Sequence, residues 1–237
     1  MKENRVETII VYSDSTMFPR GKFVTTKHIW PNLLKESADN VVIRGMGGIT
    51  STEILNLIRR DAMYFSLNED SVEKIIVILA FGIVDVAPQP LTYKLKTIER
   101  FPVYGKHIWR VLSLALKPLR PKIQRYLSYQ LVPPAKFWKN LLAINNVISN
   151  TNCEIILLET PMPSQLVLKR SPGLEKAVVS LNLLKKEFCV SNGLSLIQVP
   201  VNPPVDYISQ EDGHHFSIAG HKLVASRVVS YFEMKKS

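Results

Sequence analysis

Near the C-terminus, the run Asp212-Gly213-His214-His215-Phe216-Ser217-Ile218-Ala219-Gly220-His221 sets a carboxylate three residues before an imidazole. An apolar helical pattern follows. A carboxylate beside an imidazole fixes its tautomer and stabilises its protonated form, which suits the ring to take a proton from a hydroxyl. The candidate hydroxyl lies at the other end of the chain. Val6-Glu7-Thr8-Ile9-Ile10-Val11-Tyr12 reads as a buried strand and runs into the small polar turn Ser13-Asp14-Ser15-Thr16. Alone, Ser15 reads as a turn or N-cap serine. With Asp212 and His215 it becomes a candidate nucleophile.

The neighbouring residues carry rival readings. His214 competes with His215 as the base, and the spacing from Asp212 favours His215. His221 falls inside the following helix, where packing or capping is the simpler role. Asp212, His214, His215 and His221 match no standard zinc spacing, so no metal is expected. Gly45, Gly47 and Gly48 lack the lysine of a phosphate loop and the full dinucleotide fingerprint, so no nucleotide or other cofactor is expected. Asp14 reads as a carboxylate that holds its own turn through backbone N–H groups, with ligand binding as the alternative. Asp85 reads as a group that orients the Ser15 loop or as a direct substrate contact.

These residues need a scaffold that joins the chain ends. Val6–Tyr12, 40–44, 74–81, 154–159 and 194–199 read as strands, rich in β-branched residues and mostly without polar alternation. Strands covered on both faces belong to parallel sheets. Helical patterns lie between them: 25–36 (interrupted by Pro31), a helix opened by Thr50-Ser51-Thr52-Glu53, 174–191 with Gly193 as stop signal, and 217–234. The alternation predicts one three-layer α/β/α domain over 1–237 with a five-stranded parallel sheet. Function in such sheets gathers at the carboxyl ends of strands. Ser15, Gly48 and Asp85 all fall just beyond predicted strand ends.

The net charge of +10 is not evenly spread. Between Lys94 and Lys139 stand eleven Lys and Arg against a single acid, Glu99, so the rest of the chain is neutral. The segment 94–139 reads as a basic helical insertion, with helices expected over 105–117 and 121–131. Trp109, Leu112, Leu114 and Leu116 mixed with Lys and Arg suggest peripheral contact with an anionic membrane. An anionic glycan or a plain solvated surface are the alternatives, and no nucleic-acid recognition motif accompanies the charge. No run reaches the roughly 18 apolar residues of a membrane span. The start lacks the apolar region and cleavage site of a signal peptide. A cytoplasmic protein is therefore expected, with Cys153 and Cys189 as free thiols. Oligomeric state is not legible.

The blocks Ser13-Asp14-Ser15, Gly47-Gly48-Ile49-Thr50, Gly82-Ile83-Val84-Asp85 and Asp212-x-x-His215 with Ser217, Gly220 and His221 occur in an order that resembles the SGNH/GDSL hydrolases. The resemblance spans residues 13 to 221, the basic insertion excepted. It implies a flavodoxin-like fold and a serine esterase or O-acyltransferase acting through an acyl-enzyme. Ser15 would be the nucleophile, His215 the base and Asp212 its orienting partner. The N–H groups of Ser15 and Gly48 would form the oxyanion hole. The family's Asn in the third block is replaced here by Val84, which removes one oxyanion donor. Arg44 or a residue of the insertion would be the substitute, or an activated acyl donor would need less oxyanion stabilisation, or the chemistry would be weak or lost. The Gly-Ile-Val-Asp variant is similar to members associated with bacterial surface glycans, which implies acetyl on a carbohydrate as substrate. A binding module that has lost its chemistry and a membrane-associated lipid esterase are the alternatives.

Overall fold

The computed structural model describes residues 6–20, 23–66, 75–90, 105–116, 119, 122, 128–149, 151–199 and 205–235. Its centre is a five-stranded parallel sheet built from β1 (Val6–Ser13), β2 (Ala38–Gly45), β3 (Ile75–Ala80), β6 (Cys153–Leu158) and β7 (Ser195–Ile197). The order is β2-β1-β3-β6-β7, the flavodoxin-like winding. Two short strands, β4 (Gln89–Pro90) and β5 (Ser128–Tyr129), form a separate antiparallel pair.

The strand period of two sorts side chains into two cores. Ile10 and Tyr12, Val77 and Leu79, Ile155 and Leu157 face one side of the sheet. They pack with Ile54 and Ile58 of α2 (Ser51–Ser66), Phe137 and Leu141 of α5 (Pro134–Ile148), and Leu181 and Phe188 of α7 (Leu174–Asn192). Ile9 and Val11, Ile76 and Ile78, Ile156 and Leu158 face the other side. There they meet Trp30 of α1 (Trp30–Leu33) and Val224, Val228 and Phe232 of α8 (Ile218–Met234). With both faces covered, the strands carry no polar alternation, and β3 is buried throughout.

Local signals mostly hold. Thr50 and Glu53 form the expected capping box at α2: Thr50 N–H donates to Glu53 Oε2 at 2.8 Å and Glu53 N–H returns to Thr50 Oγ1 at 3.4 Å. Gly193 ends α7 in the left-handed conformation at φ 65°. Segment 25–36 differs from the single interrupted helix expected. It comprises two 3₁₀ turns, Thr26–His28 and Leu34–Glu36, around α1. Pro31 sits in the first turn of α1, where its missing N–H costs nothing, so it opens that helix rather than breaking it.

The basic segment also differs. Residues 105–116 form the expected helix, α4 (Gly105–Leu116). Of the second expected helix, 121 and 123–127 lie outside the described residues, and Ser128–Tyr129 are strand. Residues 134–139 open α5, a core helix whose Phe137, Leu141, Ile144 and Ile148 are buried. The charge density of 94–139 concealed that apolar period. The short α6 (Gln165–Arg170) was not anticipated, and α3 (Ile83–Val86) is a single turn after β3. Cys153 and Cys189 are free thiols. Among the described residues, no helix is long and apolar enough to cross a membrane.

Candidate active site

The carboxyl ends of β1, β2 and β3 lie side by side, with Ser13 paired to both Gly45 and Ala80. This is where the winding reverses and where open α/β sheets form their binding crevice. Ser13, which stands where the resemblance has glycine, is buried and donates its hydroxyl to Ala80 O at 2.6 Å. Gly45, at φ 146°, leaves no room for a side chain, because a Cβ there would lie 1.9 Å from Ser13 O.

Ser15 opens a 3₁₀ turn, Ser15–Met17, capped by Asp14. Asp14 Oδ1 accepts Thr16 N–H at 3.0 Å and the Thr16 hydroxyl at 2.9 Å, while Oδ2 accepts Gly82 N–H at 3.1 Å. The two bonds from Thr16 fix the Ser15 turn, and the one from Gly82 ties it to the end of β3. Burial pushes its pKa above the ordinary value, against those donors and the nearby Lys185 ammonium. Ser15 itself is half-buried.

Asp85 lies beneath the neighbouring helix rather than in the crevice. Its carboxylate accepts Ser51 N–H at 2.9 Å and the Ser51 hydroxyl at 2.6 Å, and so holds the N-terminus of α2. Asn140 Nδ2 reaches the Ser51 hydroxyl from α5 at 2.8 Å. Asp85 is wholly buried, and this burial raises its pKa to about 6 against the Ser51 donors. Arg44 has a partner away from the Ser15 turn: its Nε lies 3.2 Å from Asp61 Oδ2, which also accepts the Tyr12 hydroxyl at 2.7 Å. Gly47 and Gly48 are exposed in the turn after β2. Gly48 adopts φ 76°, and a Cβ built on Gly47 would lie 3.9 Å from Ser15 Cβ.

Asp212 and His215 meet as the spacing suggested. Asp212 Oδ2 lies 2.6 Å from His215 Nδ1, and Oδ1 accepts the N–H groups of His214 at 2.9 Å and His215 at 3.1 Å. Partial burial opposes ionisation of Asp212, but the two backbone donors and the His215 ring outweigh it and hold its pKa below the ordinary value. Among the described residues, His215 Nε2 is buried with no hydrogen-bond partner, so Ser15 Oγ does not bond to it. His214 is exposed and donates only its backbone N–H to Asp212. A small cavity at the carboxyl ends of the strands is lined from both ends of the chain, by Asp14 and Thr16, by Phe81, Glu159 and Thr160, and by Phe216; Ser15 and His215 do not line it.

His221 turns inward. It is fully buried, its Nδ1 accepts Trp30 N–H at 3.2 Å, and its ring meets Phe216 edge-on at 5.5 Å. Burial chiefly, and His215 secondarily, lower its pKa to about 3. Ser217 caps α8 by accepting Gly220 N–H at 3.1 Å. Among the described residues, no group of three or more His, Cys, Asp or Glu could hold a metal.

The sequence reading missed Lys185. It is 1 % exposed, and its ammonium donates to Phe81 O at 2.7 Å, Leu158 O at 2.8 Å and Thr160 Oγ1 at 3.0 Å. It therefore clamps the carboxyl ends of β3 and β6. Asn182, one turn earlier, accepts Thr160 N–H and donates to Thr160 O, each at 2.9 Å. A signal was present: Asn182 and Lys185 stand on the apolar stripe of Leu174, Val178, Leu181 and Phe188, where polar residues are out of place. Burial lowers the Lys185 pKa to about 8, against the attraction of Asp14, Asp85 and Glu159.

No family model and no curated protein matches the sequence. Solved structures do match. A lipase/acylhydrolase from Enterococcus faecalis is 16% identical with a TM-score of 0.61, covering 97% of this chain and 96% of that one. A member of the lipolytic G-D-S-L family from Veillonella parvula is 13% identical with a TM-score of 0.59, over 96% and 98%. A psychrotrophic esterase from Pseudoalteromonas is 16% identical with a TM-score of 0.55, over 97% of each chain. The chain thus shares the fold of the GDSL lipases and acylhydrolases along nearly its whole length.

Two predictions follow from these buried groups. Lys185→Met leaves two strand-end carbonyls and Asp14 without their cation, and should lower unfolding free energy by about 3 kcal/mol in urea denaturation. An unchanged midpoint would refute the clamp. His221 stays neutral in the fold but protonates near its ordinary 6.5 when unfolded. The unfolded chain therefore binds more protons between about pH 3 and 6.5, and stability should drop as pH falls through that window. His221→Phe should be less stable at neutral pH, with a shallower acid slope by up to one proton; an identical slope would show that His221 is not the titrating group.

Proposed function

We propose that the protein is a serine-dependent acyl-ester hydrolase or O-acyltransferase, with Ser15 as nucleophile, His215 as general base and Asp212 as orienting carboxylate. The observation that carries this reading is the Asp212–His215 pair at 2.6 Å with His215 Nε2 buried and unpartnered. A buried ring nitrogen without a partner is costly and asks for a donor. A serine hydroxyl that closes on it in the substrate complex would supply one, because catalytic hydrogen bonds are often incomplete before substrate binds.

The steps follow from the chemistry. Ser15 Oγ attacks the ester carbonyl carbon as its proton passes to His215 Nε2, and the carbonyl π electrons move onto oxygen. That oxyanion would be met by the N–H groups of Ser15 and Gly48. Its collapse breaks the bond to the alcohol oxygen, which takes the proton back from His215. The acyl-Ser15 ester is then attacked by water, or by a sugar hydroxyl in the transferase case, with His215 again as base. No cofactor takes part. The cavity beside the Ser15 turn measures about 10 Å³, room for one water, and does not set the size of the acyl group. Acetyl carried on a carbohydrate is the substrate that the sequence resemblance suggests.

α4 supports a location for this activity. Ile108, Val111 and Leu114 are all more than half exposed, spaced three apart along the helix, next to exposed His107 and Arg110. Exposed apolar side chains beside cations, in a segment of such positive charge, fit an anionic membrane surface better than a polar glycan.

Ser15→Ala should abolish both fluorophosphonate labelling and p-nitrophenyl acetate hydrolysis with the fold intact by circular dichroism. Asp212→Asn should lower turnover by about 10³–10⁴-fold. Activity retained in Ser15→Ala removes the triad; wild-type protein that binds a glycan but never labels is the non-catalytic alternative. For α4, co-sedimentation with phosphatidylcholine vesicles containing phosphatidylglycerol should weaken as salt rises and should fail in Ile108→Ser/Val111→Ser. Equal sedimentation of that variant would reject the surface.

A further inference from the structure

Val84 leaves the proposed oxyanion hole one donor short. Such a donor typically contributes about 10²–10³ in turnover, so the remainder of the crevice is the place to look for its substitute. Arg44 is turned to Asp61 at 3.2 Å. Another guanidinium faces the right space. After the Ser15 turn the chain runs extended from Phe18, and the exposed Arg20 returns over the glycine turn that follows β2.

A methyl group placed on Gly47 would lie 3.7 Å from Arg20 Nη2 and 3.9 Å from Ser15 Cβ. Both groups thus border the same small volume above the Gly47 backbone. Of the two residues whose N–H groups are assigned to the developing oxyanion, Ser15 borders this volume and Gly48 is the chain neighbour of Gly47. Gly47 shows no left-handed φ, and both contacts are of ordinary van der Waals length, so alanine is tolerable there on backbone and packing grounds. The absence of a side chain keeps the space between Ser15 and Arg20 open. Among the described residues, Arg20 has no hydrogen-bond or ion-pair partner, which leaves its donors available to a ligand.

We infer that Arg20 is a catalytic residue that donates a charge-assisted hydrogen bond to the oxyanion, in place of the asparagine that Val84 displaces. The inference rests on the Ser15 reading above. As Ser15 Oγ bonds to the carbonyl carbon and the π pair moves to oxygen, the guanidinium meets a full negative charge that the ground-state ester lacks. Its contribution therefore falls on turnover more than on binding. Guanidinium suits the task because it stays protonated and presents donors in a fixed plane.

The test uses p-nitrophenyl acetate, a neutral ester, with Arg20→Met, Arg20→Lys and Gly47→Ala, each checked for fold by circular dichroism and thermal melting. Arg20→Met should lose about 10²-fold in kcat with KM little changed. Fluorophosphonate labelling, which also builds charge on a phosphoryl oxygen, should slow by a similar factor. Arg20→Lys should recover part of the rate, and added guanidinium chloride at millimolar concentration should partly rescue Arg20→Met. Gly47→Ala should lower kcat with its melting temperature preserved. Wild-type kcat in Arg20→Met overturns the inference, as does a loss confined to KM or seen only with esters bearing a carboxylate or phosphate, which would make Arg20 a substrate-binding group. An active Ser15→Ala would instead overturn the nucleophile reading on which this one stands.

Discussion

A positive charge sealed inside the protein organises the carboxyl end of the sheet. The Lys185 ammonium has no solvent, so the fold must surround it with oxygen: Phe81 O, Leu158 O and the Thr160 hydroxyl. Meeting that demand draws β3 and β6 together at their carboxyl ends and brings α7 down onto both. It also supplies the counter-charge for Asp14, itself buried, whose carboxylate holds the Ser15 turn against Gly82. Left unpaired, either charge would cost several kcal/mol in such surroundings. Asp14 is held first by its Thr16 and Gly82 donors, and the Lys185 charge adds a smaller attraction.

The same logic sorts the remaining polar groups of the crevice by what they face. Asp14 and Asp85 follow neighbouring strands and are both buried, yet they spend their oxygens on different tasks. Asp14 fixes a turn, and Asp85 anchors a helix through Ser51. His215 and His221, six residues apart, divide in the same way. His221 lies inside the core, bonded to Trp30 N–H and pushed strongly toward its neutral form. His215 stays half-buried against an Asp212 carboxylate whose pKa is held low by N–H donors. His215 thus has a carboxylate on Nδ1 and a buried Nε2 with no partner among the described residues, whereas the Nδ1 of His221 is taken by Trp30 N–H.

Tight backbone approach is the other constraint. β1 and β2 close so near their ends that position 45 has no space for a Cβ, and the turn beyond remains open only because residue 47 is glycine. The Ser13 hydroxyl does the opposite work, stitching β1 to β3 through Ala80 O. Small residues around the Ser15 turn thus serve two ends: Gly45 permits contact between strands, and Gly47 leaves space between Ser15 and Arg20.

Local pattern made much of this visible in advance. Runs of Val and Ile announced the five parallel strands, because strands covered on both faces carry no polar register. The Asp212-x-x-His215 spacing announced its own pair, because three residues across a turn bring the two side chains together whatever the rest of the chain does. The capping box at Thr50 and Glu53 and the stop at Gly193 are likewise properties of four or five consecutive residues. Three features were decided only in three dimensions. Arg44 and Arg20 are alike as sequence, yet one is spent on Asp61 of α2 and the other borders the Gly47 turn. Lys185 stands out of place on the apolar stripe of α7, but what it holds was set only when that helix packed against the ends of β3 and β6. Residues 134–139 passed for part of a basic segment until Phe137 and Leu141 were buried by their neighbours. Hydrogen bonds within a turn and the periodicity of one element are set by adjacent residues, whereas the partner of a long charged side chain depends on which elements packing brings within reach.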